Sequence, residues 1–420
     1  MDRFAYLIIG GGLAGGSAAE SIRQRDATGR LALVSAEPHL PYDRVPLSKT
    51  YLMGRMKRER LFLKKPEFYE EQKVELMTER RVDAIDIHSR TVRLDDGREL
   101  GFEKLLLATG GRPRRLSLPG SELAGIYYLR TIEDCEAIRE AMGRSGRAVV
   151  IGGGFIGCEV AAAFAAQGLE TTLLELGPYL LNMALDEETG RWIGDYFTQQ
   201  GVRVMLDAAA ARFLGEAGQV RAVETRDGQR IECDFVAVGI GIALNTELAQ
   251  RSGLKIDNGV IVDKHLETEI PGLYAAGDIA RFYSPPFGRH LRVEHYDVAV
   301  KHGQVAGANM AEERLAFEEL PYFFSYQFKL NINVFGDMSH WDQMVRRGRL
   351  SVDPGFLQFY FEGHRLNAVL SVNRKAAELQ AAQRLIAARR PGEQPALLAD
   401  ESIDLEHIAL GLSEQGRTRG

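Results

Sequence analysis

Two stretches of the chain carry the same pattern of apolar and polar positions. "YLIIGGGLAGGSAAESI" (6–22) and "AVVIGGGFIGCEVAAAFAAQGL" (148–169) each start with a short apolar run, pass through a glycine cluster, and continue in small residues at helical period. A brief apolar run bounded by glycine predicts a buried strand, and the small residues after it predict a helix packed closely on that strand. The chain therefore holds one strand, turn and helix unit twice.

Around these units the pattern predicts further elements. "LALVSA" (31–36) is a second strand of the first unit, and the polar, proline-containing stretch 38–66 is loop and short helix. "TVRLDDGREL", turning at Asp96-Gly97, and "KLLLATG" complete the first block as strands. "RPRRLSLPGSE" reads as a linker into the second unit. There "VRAVETRDGQRIECDFVAVGIG" predicts a hairpin turning at Asp227-Gly228, followed by a buried strand. "GLYAAGDIA" (272–280) and the helical "DVAVKHGQVAGANMAEERL" return the chain to its first domain. From Pro321 the aromatic "PYFFSYQFKLNINVFGDM" and an Ala-rich helix at 375–389 predict an α+β domain, and "SEQGRTRG" a frayed end. The expected organisation is a discontinuous first domain (1–113 and 246–320), a second domain (114–245), a third (321–405) and a tail (406–420).

Composition narrows the classes. At 420 residues, 45% apolar and 26% charged, the chain is a globular protein too long for one core. A net charge of -6 gives no general attraction to nucleic acid, which is not an expected partner. No run of apolar residues is long enough to span a bilayer, and Asp2 with the following glycines makes the N-terminus a first strand rather than a leader. Cys135, Cys158 and Cys233 are too far apart for a zinc ribbon or an iron–sulfur site, and no metal site is expected. Buried, reduced thiols in a cytoplasmic protein are the expectation.

The glycines carry the first chemistry. Gly10, Gly12 and Gly15 form GxGxxG between strand and helix, which allows a tight turn and brings free backbone N–H groups up to a pyrophosphate. Glu37, at the end of the second strand, is placed to accept the hydroxyls of a ribose. Gly152, Gly154 and Gly157 repeat the motif, with Glu175 in the matching position. A carboxylate there repels a 2'-phosphate, and Leu176, Gly177 and Pro178 supply no arginine to offset it, so NADH is preferred over NADPH. Two dinucleotide sites in one chain suggest one retained flavin and one exchanging nicotinamide cofactor.

With "KLLLATGGRPR" and "GLYAAGDIA" added to the two glycine units, residues 4–320 resemble the glutathione-reductase-like FAD-dependent pyridine nucleotide oxidoreductases. The resemblance implies an α/β fold with two Rossmann-like dinucleotide-binding domains, the first for FAD and the second for NAD, plus a C-terminal α+β domain. It implies FAD contacts from Ala14 in the phosphate turn, from Ala108, Thr109 and Gly110 of the ATG motif, and from Gly277 and Asp278. Val82 resembles the residue whose backbone grips the adenine, and Arg130 an arginine reaching the same cofactor. Ile156 lies in the second glycine turn, and Gly239 and Gly241 of "AVGIGIALNTEL" flank the nicotinamide. Phe155 resembles an aromatic that covers the flavin, with packing as the competing reading.

Subfamilies in this class differ in the loop that opens with "LPYDRVPLSKTYL" (40–52). Disulfide reductases place one or two redox cysteines there, whereas residues 38–66 contain none. The loop instead resembles that of the ferredoxin, putidaredoxin and rubredoxin reductases that feed oxygenases, with apoptosis-inducing factor as a cousin. That resemblance puts Arg44 on FAD phosphate or adenine, Lys49 near flavin N5, and Glu159 beside Lys49 as its partner. A cation near the ring favours hydride acceptance. Glu294-His295-Tyr296 departs from the oxygenase-type pattern toward that of apoptosis-inducing factor, with His295 and Tyr296 beside the flavin pyrimidine.

Basic stretches at 54–65, 112–115 and 344–350 are candidates for steering a small acidic ferredoxin or rubredoxin, or are solvated loops. The expected activity is NADH-dependent reduction of such an iron–sulfur protein through FAD. An NADH oxidase or quinone reductase, and a redox-responsive binding flavoprotein, stay open as alternatives, and a homodimer is allowed.

Overall fold

The computed structural model describes residues 1–388 and 395–411, so the expected end 412–420, like the last residue of the 375–389 helix, lies outside the described residues. The chain forms two compact units: Met1–Val45, Met56–Arg112 and Ile242–Pro321 make the first, and Pro46–Arg55, Pro113–Gly241 and Tyr322–Gly420 the second. Pro46–Arg55 therefore belongs with the second unit. It lies inside the range 1–113 expected for the first domain.

In the first unit, parallel strands run in the order Val74–Met77, Leu31–Val34, Asp2–Ile9, Glu99–Leu107, Leu273–Ala275. Register aligns Ile9 with both Val34 and Leu107, and Leu107 with Ala275, so these strands end level with one another. The glycine turn and the chain after Val34, Leu107 and Ala275 all emerge at that carboxyl edge, where open α/β sheets bind ligands. The antiparallel strands Val82–Asp86 and Thr91–Leu94 extend the sheet from the start of Glu99–Leu107. Phe4, Leu7, Ile8, Leu33, Phe102 and Leu105, all fully buried, fill the sheet faces. Helices Leu13–Arg23 and Tyr296–Met310 pack almost backbone to backbone: a Cβ on Gly303 would lie 2.3 Å from the Ala14 carbonyl oxygen. Small residues at these positions make that approach available.

The second unit repeats the parallel design with strands Val202–Met205, Glu170–Leu174, Arg147–Ile151, Phe235–Val238 and Ile126–Tyr128 in spatial order. Its C-terminal part is a five-stranded antiparallel sheet: Tyr322–Gln327, Leu330–Gly336, Arg365–Val372, Phe356–Glu362, Gln343–Arg347. Helix Ala376–Ala387 packs on it, and a helix at Leu405–Ala409, capped by Asp404, carries ordered structure past residue 405 into the stretch expected to be tail. The sequence reading missed it because one helical turn holding only Leu405 and Ile408 in the core has too short a period to detect.

The second parallel sheet and the antiparallel sheet join through helix Glu187–Gln199. Gln358 Nε2 donates to Thr189 Oγ1 (2.7 Å), Arg346 is bidentate to Glu188 (3.0 and 2.8 Å), and Trp192 meets Phe356 edge-on.

Candidate functional site: two glycine turns and a buried lysine–glutamate pair

In the first unit the GxGxxG residues sit where the pattern predicts. Gly10 has φ +122°, and a Cβ there would lie 2.1 Å from the Ala108 carbonyl oxygen. Gly15 is packed as tightly, 1.9 Å from the Gly10 carbonyl oxygen by the same measure, whereas a Cβ on Gly12 would meet nothing within 4 Å. Gly10 and Gly15 thus serve the turn, and Gly12 faces open space. Gly12 caps helix Leu13–Arg23 with no side-chain hydrogen bond, and the first turn holds no acid. Its amides are therefore available to an anion. The buried Ala14 lies under Gly277, whose own Cβ would come 3.2 Å from that of Ala14.

The other predicted residues of this unit gather on the same edge. Glu37 accepts hydrogen bonds from Tyr42 Oη (2.5 Å) and Arg44 Nη2 (2.5 Å), and Arg44 Nη1 donates to Tyr42 Oη (2.5 Å). Burial pulls the Arg44 pKa down, but Tyr42, Glu37 and Asp278 outweigh it and raise it above the ordinary value. The strand start at Val82 is approached through Arg80 N–H to Ser35 O (2.9 Å) and Glu79 N–H to Glu37 O (3.3 Å). Thr109 Oγ1 donates to Asn245 O (2.9 Å), Asn245 Nδ2 returns a bond to Thr109 O (2.9 Å), and Asn245 N–H bonds Gly110 O (2.9 Å). His295 precedes helix Tyr296–Met310, and burial lowers its pKa to about 4, so it is neutral at pH 7. Tyr296 is pushed above the usual range by burial and by Asp43 and Asp297.

One residue absent from the sequence reading completes this edge. His302 is fully buried, and its Nδ1 accepts the Gly277 N–H at 3.3 Å, holding the turn that carries Asp278. Its ring packs edge-on against Phe282 and Phe317, and its Nε2 has no hydrogen-bond partner among the described residues. Burial lowers its pKa to about 3.

The second unit builds the same turn. Gly152 has φ +106° and would place a Cβ 2.4 Å from the Gly239 carbonyl oxygen, while Gly157 is packed on Gly152. Gly154, like Gly12, faces open space, and helix Phe155–Ala166 begins with neither a side-chain cap nor an acid. Both turns therefore fit the pyrophosphate of a dinucleotide. Glu175 accepts from Gly153 N–H (2.5 Å), Gly177 N–H (2.7 Å) and Asn182 Nδ2 (2.9 Å), which fixes its carboxylate over the turn. Ile156 is exposed, Phe155 packs edge-on against Phe323 (4.7 Å between centroids), and Gly241 has φ +85°. Arg130 precedes helix Ile132–Gly143, its N–H bonded to Asp134 (3.0 Å).

The opening loop supplies the remaining chemistry. Pro46–Arg55 is fixed on helix Ile132–Gly143, with Cys135 Sγ–H donating to Leu47 O (3.2 Å) and Tyr51 Oη to Glu136 (2.6 Å). This places Lys49 Nζ 2.6 Å from Glu159 Oε2, with side chains only 13% and 3% exposed. Ser48 Oγ donates to the same oxygen (2.5 Å), and Ser325 Oγ donates to Oε1 (2.6 Å). Each partner limits the desolvation cost of the other, and losing either would strand a buried charge at a cost of about 3–5 kcal/mol.

The family description "pyridine nucleotide-disulphide oxidoreductase" matches residues 4–303, and "reductase C-terminal" matches residues 322–409. The chain belongs to this oxidoreductase family. It is 35% identical to putidaredoxin reductase of Pseudomonas putida over 407 residues, 96% of each chain. It is 37% identical to the ferredoxin--NAD(+) reductase component of the anthranilate 1,2-dioxygenase system of Burkholderia cepacia, over 97% of this chain and 99% of the relative. The reductase in the covalent putidaredoxin reductase–putidaredoxin complex superposes with a TM-score of 0.93 at 35% identity, covering 98% of this chain and 99% of that one. The fold class expected from the sequence is the one found.

Within this oxidoreductase family the disulphide of the name has no counterpart in the opening loop. All three cysteines are buried and unpaired, and burial raises Cys135 and Cys233 to about 12 and Cys158 well above its ordinary value. They are thiols, not thiolates, at neutral pH. No helix among the described residues is long and apolar enough to cross a membrane, and no group of three metal-ligating side chains occurs among them.

The basic stretches divide. Arg346 is paired with Glu188, and the buried Arg347 donates to the carbonyls of Leu398, Asp400 and Ile403, so these two arginines of 344–350 are structural, whereas Arg349 is exposed. Arg112 is paired with Glu247, while Arg55, Lys57, Arg58 and Arg60 are exposed. Ser48, Ser325, Asn182, Asn245 and His302 were missed. A signal existed for Ser325: it and Gln327 are polar on the buried face of an otherwise aromatic strand.

Proposed function

We propose that this chain is an NADH-dependent flavoprotein reductase that takes hydride from NADH and delivers electrons to a small, acidic iron–sulfur protein of ferredoxin or rubredoxin type. FAD supplies the conversion of a two-electron hydride into single electrons. The first glycine turn, with Glu37, Arg44, Thr109 and Asp278, is assigned to FAD. The second, with Glu175, is assigned to NADH, the carboxylate disfavouring a 2'-phosphate. Ala14, Val82, Ala108, Gly110, Arg130, Gly277, His295 and Tyr296 complete the proposed FAD contacts, and Ile156, Gly239 and Gly241 those of the nicotinamide.

The observation that carries the reading is the Lys49–Glu159 pair in a loop where a thiol relay would need cysteine. With FAD bound, the Lys49 ammonium would offset negative charge on the flavin, and Glu159 would hold the ammonium in place. The names of relatives matching over 96–97% of the chain, a putidaredoxin reductase and the ferredoxin--NAD(+) reductase component of a dioxygenase system, support the same acceptor class. A cytoplasmic location belongs to the proposal, as does the domain division 1–113 with 246–320, 114–245 and 321–405, with Pro46–Arg55 taken out of the first range. Anaerobic mixing with NADH tests it: flavin absorbance should bleach rapidly and recover on adding an oxidised [2Fe–2S] ferredoxin. Slow recovery with a persistent charge-transfer band would select a binding flavoprotein, and rapid recovery with oxygen alone an oxidase.

A further inference from the structure

Glu159 receives two donors besides the lysine of its ion pair. Lys49 and Ser48 both reach Oε2, while Ser325, from strand Tyr322–Gln327, donates to Oε1 at 2.6 Å. Behind it, Gln327 Nε2 donates to Ser325 Oγ at 3.1 Å. Ser325 has a single hydroxyl hydrogen; with Gln327 occupying a lone pair, that hydrogen is directed at the carboxylate. Ser48, Glu159, Ser325 and Gln327 are all at most 4% exposed, so no solvent shell competes. The terminal torsion of a glutamate is broad and nearly two-fold, and holding one oxygen leaves the carboxylate able to swing about it. Bonds to both oxygens remove that freedom.

We propose that Ser325 is a positioning residue for the reaction, fixing the rotation of the Glu159 carboxylate so that Oε2 holds the Lys49 ammonium at one place. The inference rests on the role of Lys49 given under Proposed function. It makes the C-terminal sheet a contributor to the rate of hydride transfer, through a hydroxyl rather than through acceptor docking.

The test compares Ser325→Ala, Ser325→Thr, Glu159→Gln and Lys49→Ala as FAD-loaded proteins in anaerobic stopped flow with NADH. Ser325→Ala should lower the limiting rate of flavin reduction about 3- to 10-fold, as expected for a small loss of orientation, with the NADH Kd within about 2-fold of the parent. Ser325→Thr, which keeps the hydroxyl, should restore the rate, and Ser325→Ala should add nothing in the Glu159→Gln background. A second readout needs no flavin. In the apoprotein, competitive acetylation followed by peptide mass analysis should show Lys49 at least about 3-fold altered in reactivity in Ser325→Ala, relative to the exposed Lys57, because its counter-charge is no longer fixed. If Ser325→Ala does not fold, Ser325→Cys, close in volume and a weak donor, gives the same reading. Parent-like reduction and labelling in Ser325→Ala, with Lys49→Ala slow, would overturn the positioning role and leave the function standing. Parent-like reduction in Lys49→Ala would overturn both.

Discussion

Acidification should loosen the first unit at one identifiable atom. His302 Nδ1 accepts the Gly277 N–H, and protonation would convert that acceptor into a donor facing another donor inside the ring cage of Phe282 and Phe317. Its pKa is about 3 in the folded chain against 6.5 for the free side chain. Because the folded value is depressed, the unfolded chain binds the proton first. The associated stability is complete above about pH 6.5, falls as pH drops below it, and is exhausted near pH 3. At about 1.4 kcal/mol per unit the whole effect is about 5 kcal/mol, and about 2 kcal/mol of it is lost by pH 5. His295, depressed to about 4 by burial, titrates in the same direction. His302→Asn keeps an acceptor near the Nδ1 position and does not titrate. Urea unfolding at pH 7, 6 and 5 should show the parent losing about 2 kcal/mol more than the variant over that interval, with FAD retained to lower pH in the variant. Parallel curves for the two proteins would refute the assignment.

Other predictions follow from the same geometry. Gly152→Ala, forced against the Gly239 carbonyl at a positive φ, should weaken NADH binding at least about 10-fold while FAD content is unchanged; Gly15→Ala should abolish FAD retention, read by the absorbance ratio of purified protein. NADPH should give a much poorer kcat/KM than NADH, and Glu175→Ala should narrow that ratio at least about 10-fold; equal efficiency in the parent would refute the role of Glu175. Lys49→Ala should slow flavin reduction by about 10- to 100-fold, and an unchanged rate would remove Lys49 from the mechanism. Electron transfer to an acidic ferredoxin should slow as salt rises, and Arg58 and Arg60 changed to Glu should slow it further; a flat salt dependence would contradict steering.

The parts of this molecule visible in its sequence are those written locally. Both glycine turns, their following helices, the acids Glu37 and Glu175, and the hairpin turns at Gly97 (φ +84°) and Gly228 (φ +86°) depend on neighbours in the chain. The Lys49–Glu159 pair was expected only through family resemblance, since no spacing rule joins residues so far apart. What escaped was long-range: Pro46–Arg55 fastening to Cys135 and Glu136, His302 under Gly277, and Ser325 on Glu159. Helix Glu187–Gln199 escaped too, although Trp192, Ile193, Tyr196 and Phe197 give it one apolar face; its Asp186 cap follows a long irregular stretch. The tertiary fold decides which isolated polar residue meets which partner.

The account is tested most directly by anaerobic single turnover: FAD-loaded protein, one equivalent of NADH, then an oxidised [2Fe–2S] ferredoxin. It predicts fast flavin reduction, dependent on Lys49, followed by fast ferredoxin reduction that slows with salt. Flavin that NADH reduces only slowly, or reduced flavin that passes electrons to oxygen but not to any small iron–sulfur protein, would contradict it.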